Sequence, residues 1–259
     1  MAFKHYRKNY LETVIFQLRF PLILKLDNAS PGDFQELVRA RFPVPRAGTE
    51  VSLEVFVTPE ASKTEKKTFR SRWMFFAKDE TKSVTVTSGA FTLEYKEFTD
   101  VTDALDDFSF AWGAFQKLYQ VETIDRIGVR YIDNIVLESG NPFEWSGYIH
   151  EDILEATLGV EFAPEYGVLR SMHALHLGAA DHRITFQFGI NNSDFPNPVA
   201  KRAFVLDYDC CSVGPVDASD AETCVGKYNQ VIHDLFEASI GDRLRQDLGV
   251  IEPSEDSTS

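Results

Sequence analysis

The sequence predicts an α+β protein made of two similar β-α-β-β-β-α halves. Runs of β-branched and aromatic residues, bounded by turn residues, indicate strands. Two long segments with apolar residues three and four apart indicate amphipathic helices. The same order of six elements occurs over residues 11–120 and again over 124–249, although the halves share little residue identity. Consecutive hairpin-linked strands favour largely antiparallel sheets with helices packed on one face.

These patterns divide the chain into a first half over residues 1–122, a second half over 123–250 and a tail over 251–259. The tail, "IEPSEDSTS", is polar and acidic, so we expect it to be disordered. An even duplication permits a pseudo-symmetric monomer as readily as a dimer, and the oligomeric state is left open.

The first half begins with a predicted strand over residues 12–26, in which Pro21 marks a bulge, an edge or the strand end. A helix follows, with Ser30 as its expected cap, Pro31 in its first turn and Pro43 at its end. The apolar stripe of this helix comprises Phe34, Leu37, Val38 and Phe42.

Three more strands complete the sheet of the first half. They are predicted over residues 51–57, 70–76 and 82–96, with a polar loop over 59–67 between the first two. In the last strand the apolar residues change parity after Val86, and we expect a β-bulge at Ser88–Gly89 to correct the phase. A helix over 100–119 follows, with Leu105, Phe108, Trp112, Phe115 and Tyr119 on its apolar side.

The second half repeats this order. A strand over residues 125–138 precedes a helix that ends at Gly159, a favourable C-terminal cap. Strands over 168–178, 182–191 and 202–214 lead to a final helix over 217–249 with a break near Gly241.

Composition narrows the classes of partner. The net charge is −14 and the pI is about 4.9, which disfavours binding to nucleic acid or to an anionic membrane. The longest apolar run is far shorter than the ~20 residues of a membrane helix. The three cysteines include an adjacent pair, and the first residues lack the apolar core of a signal peptide. We therefore expect a reduced, cytoplasmic protein.

The motifs of common enzymes are absent from the sequence. It contains no glycine-rich phosphate loop, no G-x-S-x-G nucleophile elbow and no HExxH helix. His173 and His176 are three apart on a predicted strand and should point to opposite faces, which disfavours a shared metal. We expect no cofactor and no resident metal.

The candidate ligand-binding residues lie in "RIGVRYIDNI". Arg126, Arg130 and Asn134 share one face of the strand, and Gly128 between the arginines allows a ligand or backbone to approach. Two guanidinium groups and an amide in a row can grip a phosphate or a carboxylate. The opposite face carries the apolar residues Ile127, Val129, Tyr131 and Ile135.

Asp207 and Asp209 share a face of a later strand and offer two alternatives. They could hold a cation or divide acid and base roles, or they could pair with Arg126 and Arg130. With 40 acidic residues in the chain, pairing is the simpler interpretation.

Three segments carry a resemblance that spans the chain. "RIGVRYIDNI", "ETVIFQLRF" and "HDLFEASIGDRLRQDLG" resemble the central motif, the N-terminal strand and the C-terminal helix of a sporadically distributed family of bacterial proteins of unknown function. The resemblance implies no catalytic residues. The patchy distribution of the family implies horizontally acquired accessory functions, phage defence included.

Two functional hypotheses follow. The first is a cytoplasmic, non-enzymatic interaction or ligand-sensing protein that uses the arginine face to contact a protein or a small anionic ligand. The alternative is a cation-dependent hydrolase or nucleotide-processing enzyme, in which Arg126 and Arg130 bind an anionic group while Asp207 and Asp209 hold a cation.

Overall fold

The computed structural model describes residues 5–57, 63–159 and 166–251 and shows a mixed α+β fold. The strands are β1 (His5–Tyr6), β2 (Leu11–Arg19), β3 (Val44–Val57), β4 (Lys63–Phe76), β5 (Lys82–Thr87), β6 (Ala90–Tyr95), β7 (Thr123–Ile124), β8 (Arg126–Leu137), β9 (Ser171–Gly178), β10 (His182–Ile190), β11 (Arg202–Ser212), β12 (Val216–Asp217) and β13 (Val250–Ile251). The helices are α1 (Leu24–Asn28), α2 (Gly32–Val38), α3 (Val101–Tyr119), α4 (Glu151–Leu158), α5 (Ala221–Ser239) and α6 (Asp242–Leu248).

Nine of these strands form one large antiparallel sheet, in the order β3-β4-β5-β6-β2-β8-β11-β10-β9. The short strands pair separately, β1 with β13 and β7 with β12. The α+β class and the antiparallel pairing expected from the sequence are thus confirmed. None of the helices in the described part of the chain is both long enough and apolar enough to cross a membrane.

The described residues form two compact units. Unit 1 comprises residues 1–14, 129–213 and 225–259, and unit 2 comprises residues 15–128 and 214–224. The predicted disordered tail lies outside the described residues, apart from its first residue, Ile251, which belongs to β13.

Helix α3 organises the core of unit 2. The Asp100 carboxylate caps it by accepting a hydrogen bond from the Thr102 amide at 2.7 Å. Phe108, Trp112 and Phe115 are buried as predicted, and their rings pack against Phe91 of β6. The aromatic stripe of the sequence is therefore the contact surface between helix and sheet.

The segment predicted as one bulged strand is a β-hairpin. β5 and β6 pair with each other around Ser88–Gly89, with Val86 opposite Phe91 and Val84 opposite Leu93. Directly opposed residues of antiparallel strands point to the same face, so the turn itself explains the change of parity. The bulge prediction was wrong because a tight turn and a bulge leave the same apolar pattern.

Further differences in unit 2 lie near α1, α2 and β4. The first strand ends at Arg19, and the residues after Pro21 form the short helix α1. Ser30 does not cap α2, whose N-cap position is Pro31 without a side-chain hydrogen bond. Of the predicted polar loop, residues 63–67 belong to β4, and 59–62 lie outside the described residues.

Unit 1 places apolar side chains of β10 and β11 on one face. Phe186 lies opposite Tyr208, and their rings stack at a centroid distance of 4.5 Å. The predicted break in the final helix is confirmed at Gly241. A Cβ atom at Gly241 would lie 2.2 Å from the Gly147 carbonyl oxygen, so any larger residue would collide with the backbone.

Candidate functional site

Arg130 and Asp207 form a bidentate ion pair within unit 1. The Arg130 Nε and Nη2 atoms donate to the two Asp207 carboxylate oxygens at 2.8 and 2.7 Å. These hydrogen bonds raise the pKa of Arg130, and the nearby Asp209 carboxylate acts in the same direction. The pair links β8 to β11, so an anionic ligand at Arg130 would have to compete with Asp207.

The other predicted binding residues are placed differently. The Arg126 guanidinium lies over Gly128, where an added Cβ would be 2.4 Å from Nη1. Gly128 thus makes room for the arginine side chain itself. Asn134 is half-buried and its backbone amide donates to the Tyr10 carbonyl at 2.9 Å. Asp209 lies opposite Thr185 in the register of β11 with β10.

The histidines and cysteines have separate surroundings. His173 contacts the Ser171 hydroxyl at 3.0 Å, whereas His176 contacts the Thr185 hydroxyl at 3.3 Å. Among the described residues, no group of three or more His, Cys, Asp or Glu side chains is arranged to hold a metal ion. Burial raises the pKa of Cys210 to about 12, so its thiol is unreactive at neutral pH.

Asp133 is a buried acid that the sequence interpretation overlooked. It is 4% exposed and lies on the inward face of β8, together with Val129 and Tyr131. Burial raises the pKa of its carboxyl to about 8, so Asp133 is mainly protonated at neutral pH. The parity of "RIGVRYIDNI" already places this acid among the apolar residues, and that signal could have identified it.

Tyr208 shares this buried environment. Its hydroxyl is buried and lacks a hydrogen-bond partner of normal geometry among the described residues. Burial raises the pKa of Tyr208 well above its ordinary value; the nearby Ser239 hydroxyl opposes this shift, and the Asp133 carboxyl adds to it more weakly. Unit 1 therefore holds a neutral acid and a neutral phenol in its core.

Unit 2 contains an acidic cavity of about 450 Å³, which is within the usual range for small-molecule sites. Its residues come from the end of α2, the β4–β5 turn, the end of β6 and the first turns of α3. The lining comprises Arg41, Asp79, Thr81, Lys82, Tyr95, Glu97, Thr99, Asp100, Asp103, Asp106 and Asp107. We refer to this set as the acidic cavity.

Asp107 is the buried anchor of the acidic cavity. It is 3% exposed and accepts hydrogen bonds from the Tyr95 hydroxyl at 2.8 Å, from Arg41 at 3.0 Å and from Lys82. Burial alone would raise the pKa of Asp107, but the hydrogen bonds from Lys82, Tyr95 and Arg41 outweigh it and the pKa is lowered. Asp107 is therefore ionised at neutral pH.

The cavity holds more negative than positive charge. Six carboxylates face two cations, Arg41 and Lys82, which leaves the lining with a formal charge of −4. Both cations are already engaged with Asp107, and Arg41 also pairs with Asp106 at 2.7 Å. Neither Glu97 nor Asp103 forms an ion pair with another described residue. The cavity is thus suited to a cation.

Comparisons with known proteins identify no relative. The chain matches no family model, and no curated protein and no solved structure is significantly similar to it.

Proposed function

We propose that this protein is a non-enzymatic ligand-binding protein of the cytoplasm, and that the acidic cavity of unit 2 binds a small organic cation with two or more ammonium or guanidinium groups. The observation that supports this most directly is a cavity of about 450 Å³ with six carboxylates and only two cations.

The distribution of the carboxylates favours an extended cation over a metal ion. The acids come from two turns and a helix and line a volume suited to a small molecule. Because the described side chains form no compact group of three ligands for a metal, the negative charge is spread along the cavity. A linear polyamine spreads its positive charge in a similar way.

The arrangement of Arg130 favours the non-enzymatic hypothesis over the hydrolase. Arg130 and Asp207 engage each other through two hydrogen bonds, which occupies the groups that would bind an anion and hold a cation. An anionic ligand at Arg126 and Arg130 stays a prediction, as does the descent of the fold from a duplicated β-α-β-β-β-α unit.

Isothermal titration calorimetry tests the proposal with putrescine, agmatine and spermidine as cationic probes and inorganic phosphate as an anionic probe. We expect binding of one amine per chain, strongest for the triamine and weaker at high salt because screening reduces the attraction. Glu97→Gln and Asp103→Asn should each lower the affinity about two- to fivefold, since each removes one solvent-accessible charge partner.

Glu151→Gln is the matched control. It removes one exposed carboxylate from the first turn of α4 in unit 1, so it changes the net charge by the same amount outside the cavity. Its affinity should equal that of the unmodified protein. Absence of amine binding, or equal weakening by Glu151→Gln and Asp103→Asn, would refute the proposed site.

A further inference from the structure

Strand β9 lies at the edge of the nine-stranded sheet. Its inner side pairs with β10, from Gly178 opposite Arg183 to Ser171 opposite Ile190. None of the described strands pairs with its outer side. Within the described part of the chain, the backbone amides and carbonyls of alternate residues along this side therefore have no strand partner.

The side chains of β9 do not protect this edge. Its sequence, "SMHALHLG", contains no Lys, Arg, Asp, Glu or Pro, the residues that commonly prevent edge strands from pairing. Met172, Leu175 and Leu177 are 37, 49 and 41% exposed. An uncharged edge with exposed apolar side chains is typical of a pairing surface.

We propose that β9 pairs antiparallel with β9 of a second copy of this chain, about a two-fold axis through Leu175. The acidic cavity plays no part in this pairing. A two-fold axis perpendicular to the sheet places the same face of both copies on the same side. Odd-numbered residues of one β9 then lie opposite odd-numbered residues of the other, and even-numbered residues opposite even-numbered ones. Leu175 then lies opposite Leu175 of the second copy, and each strand continues the hydrogen-bonded ladder of the other.

The side chains of β9 are complementary in size in this register. On one face Ala174 lies opposite His176 of the second copy, and Met172 lies opposite Gly178, so each large side chain meets a small one. On the other face Leu177 lies opposite His173, beside the two Leu175 side chains. These cross-strand pairs bury the exposed leucines, which is the main stabilising term.

The charges at the two ends of β9 favour the antiparallel orientation. Arg170 precedes the strand and would lie opposite Ala180 of the second copy, next to Asp181. The Asp181 carboxylate also binds Lys227 and His182, and these hydrogen bonds lower its pKa to about 2, so it stays ionised. The net charge of −14 opposes association of two copies, but β9 itself contributes none of that charge.

Disulfide cross-linking tests the register directly. Opposed Cα atoms of antiparallel strands are about 4.5–5.5 Å apart, within the range that a disulfide bridges. Only a residue on the two-fold axis faces its own counterpart. In a Cys211→Ser, Cys224→Ser background, Leu175→Cys should form a covalent dimer under mild oxidation, and the neighbouring Ala174→Cys should not.

Light scattering with size-exclusion chromatography tests the dimer itself. The unmodified protein should have about twice the chain mass of 29.3 kDa. Leu175→Lys places like charges opposite each other on the axis and should halve the mass, with an unchanged circular dichroism spectrum. Gln246→Lys, which adds the same charge on the exposed side of α6, should stay dimeric.

Three outcomes would overturn the proposal. They are a monomeric unmodified protein, a dimer that persists in Leu175→Lys, and cross-linking by Ala174→Cys without cross-linking by Leu175→Cys. A monomeric chain that carries an unrelated polypeptide on β9 would equally contradict pairing between two copies.

Discussion

Asp107 in unit 2 and Asp133 in unit 1 are both almost fully buried, at 3 and 4% exposure, but their ionisation is opposite. The pKa of Asp107 is lowered by hydrogen bonds from Lys82, Tyr95 and Arg41 that outweigh the effect of burial. Burial raises the pKa of Asp133 to about 8, and no charged partner among the described residues offsets it. The environment, more than burial alone, decides whether a carboxyl is charged.

The difference suggests different roles for the two acids. An ionised Asp107 fixes Lys82 and Arg41 at the wall of the acidic cavity and leaves the other carboxylates to attract a ligand. A neutral Asp133 lowers stability at neutral pH, because the unfolded chain gains free energy by ionising it.

Asp133→Asn should have the largest effect on stability. Between pH 4 and 8 the folded protein keeps a proton that unfolded Asp133 has lost, so rising pH destabilises the fold by up to about 1.4 kcal/mol per pH unit. Asparagine removes this dependence. We expect the variant to be about 2–4 kcal/mol more stable than the unmodified protein at pH 7, with a gain that shrinks towards pH 4.

Urea unfolding followed by circular dichroism from pH 4 to 8 measures this difference. A variant that is less stable at every pH would show that Asp133 is ionised and paired in the folded protein. In that case both Asp107 and Asp133 would be ionised in the folded protein, and the difference between them would not exist.

Asp107→Asn should lower the free energy of unfolding, whereas Asp133→Asn should raise it. Lys82 and Arg41 lose their buried partner, and we expect a loss of about 2–3 kcal/mol. The loss stays below that of a fully buried pair because the Lys82 and Arg41 side chains are 28 and 33% exposed.

The pH dependence of this loss follows from the lowered pKa of Asp107. The stabilisation is present above the unfolded pKa of 3.8 and disappears as pH falls through the folded pKa. Unfolding in urea should therefore show a larger difference between the two proteins at pH 7 than at pH 3. Asp106→Asn, which alters an exposed partner of Arg41, is the control and should cost less. Equal losses for the two variants would contradict a special role for Asp107.

The Arg130–Asp207 pair should contribute least to the stability of the folded protein. The Arg130 side chain is 40% exposed, so solvent screens the pair and we expect a coupling energy of about 0.5–1.5 kcal/mol. A double-mutant cycle with Arg130→Met and Asp207→Asn measures it.

Native mass spectrometry of the same variants separates the two hypotheses for this pair. A coupling energy near zero, with a small anion that is lost in Arg130→Met, would assign Arg130 to ligand binding. A coupling energy of about 0.5–1.5 kcal/mol, in a protein that carries no bound anion, would assign the Arg130–Asp207 pair to sheet stabilisation.

The sequence predicted elements whose pattern is local. The apolar stripe of α3, the strand β8 and the break at Gly241 follow from periodicity and from glycine, and each is present. The hairpin at Ser88–Gly89 was missed because parity alone does not distinguish a turn from a bulge.

The acidic cavity could not be predicted because its charges are far apart in sequence. The acids at the start of α3 are equally explained by the helix dipole, and only folding brings Asp79 and Arg41 to them. Asp133 could have been predicted, because its parity places it inward in a strand that the sequence identified.

An NMR titration of the carboxyl carbons of labelled aspartates with spermidine at pH 7 tests ligand binding in the acidic cavity most directly. The proposal predicts saturable shifts for Asp103 and Asp106, a smaller shift for Asp107 and none for Asp133. Shifts that are absent, or spread evenly over exposed carboxylates such as Asp152 and Asp242, would contradict a cation site in unit 2.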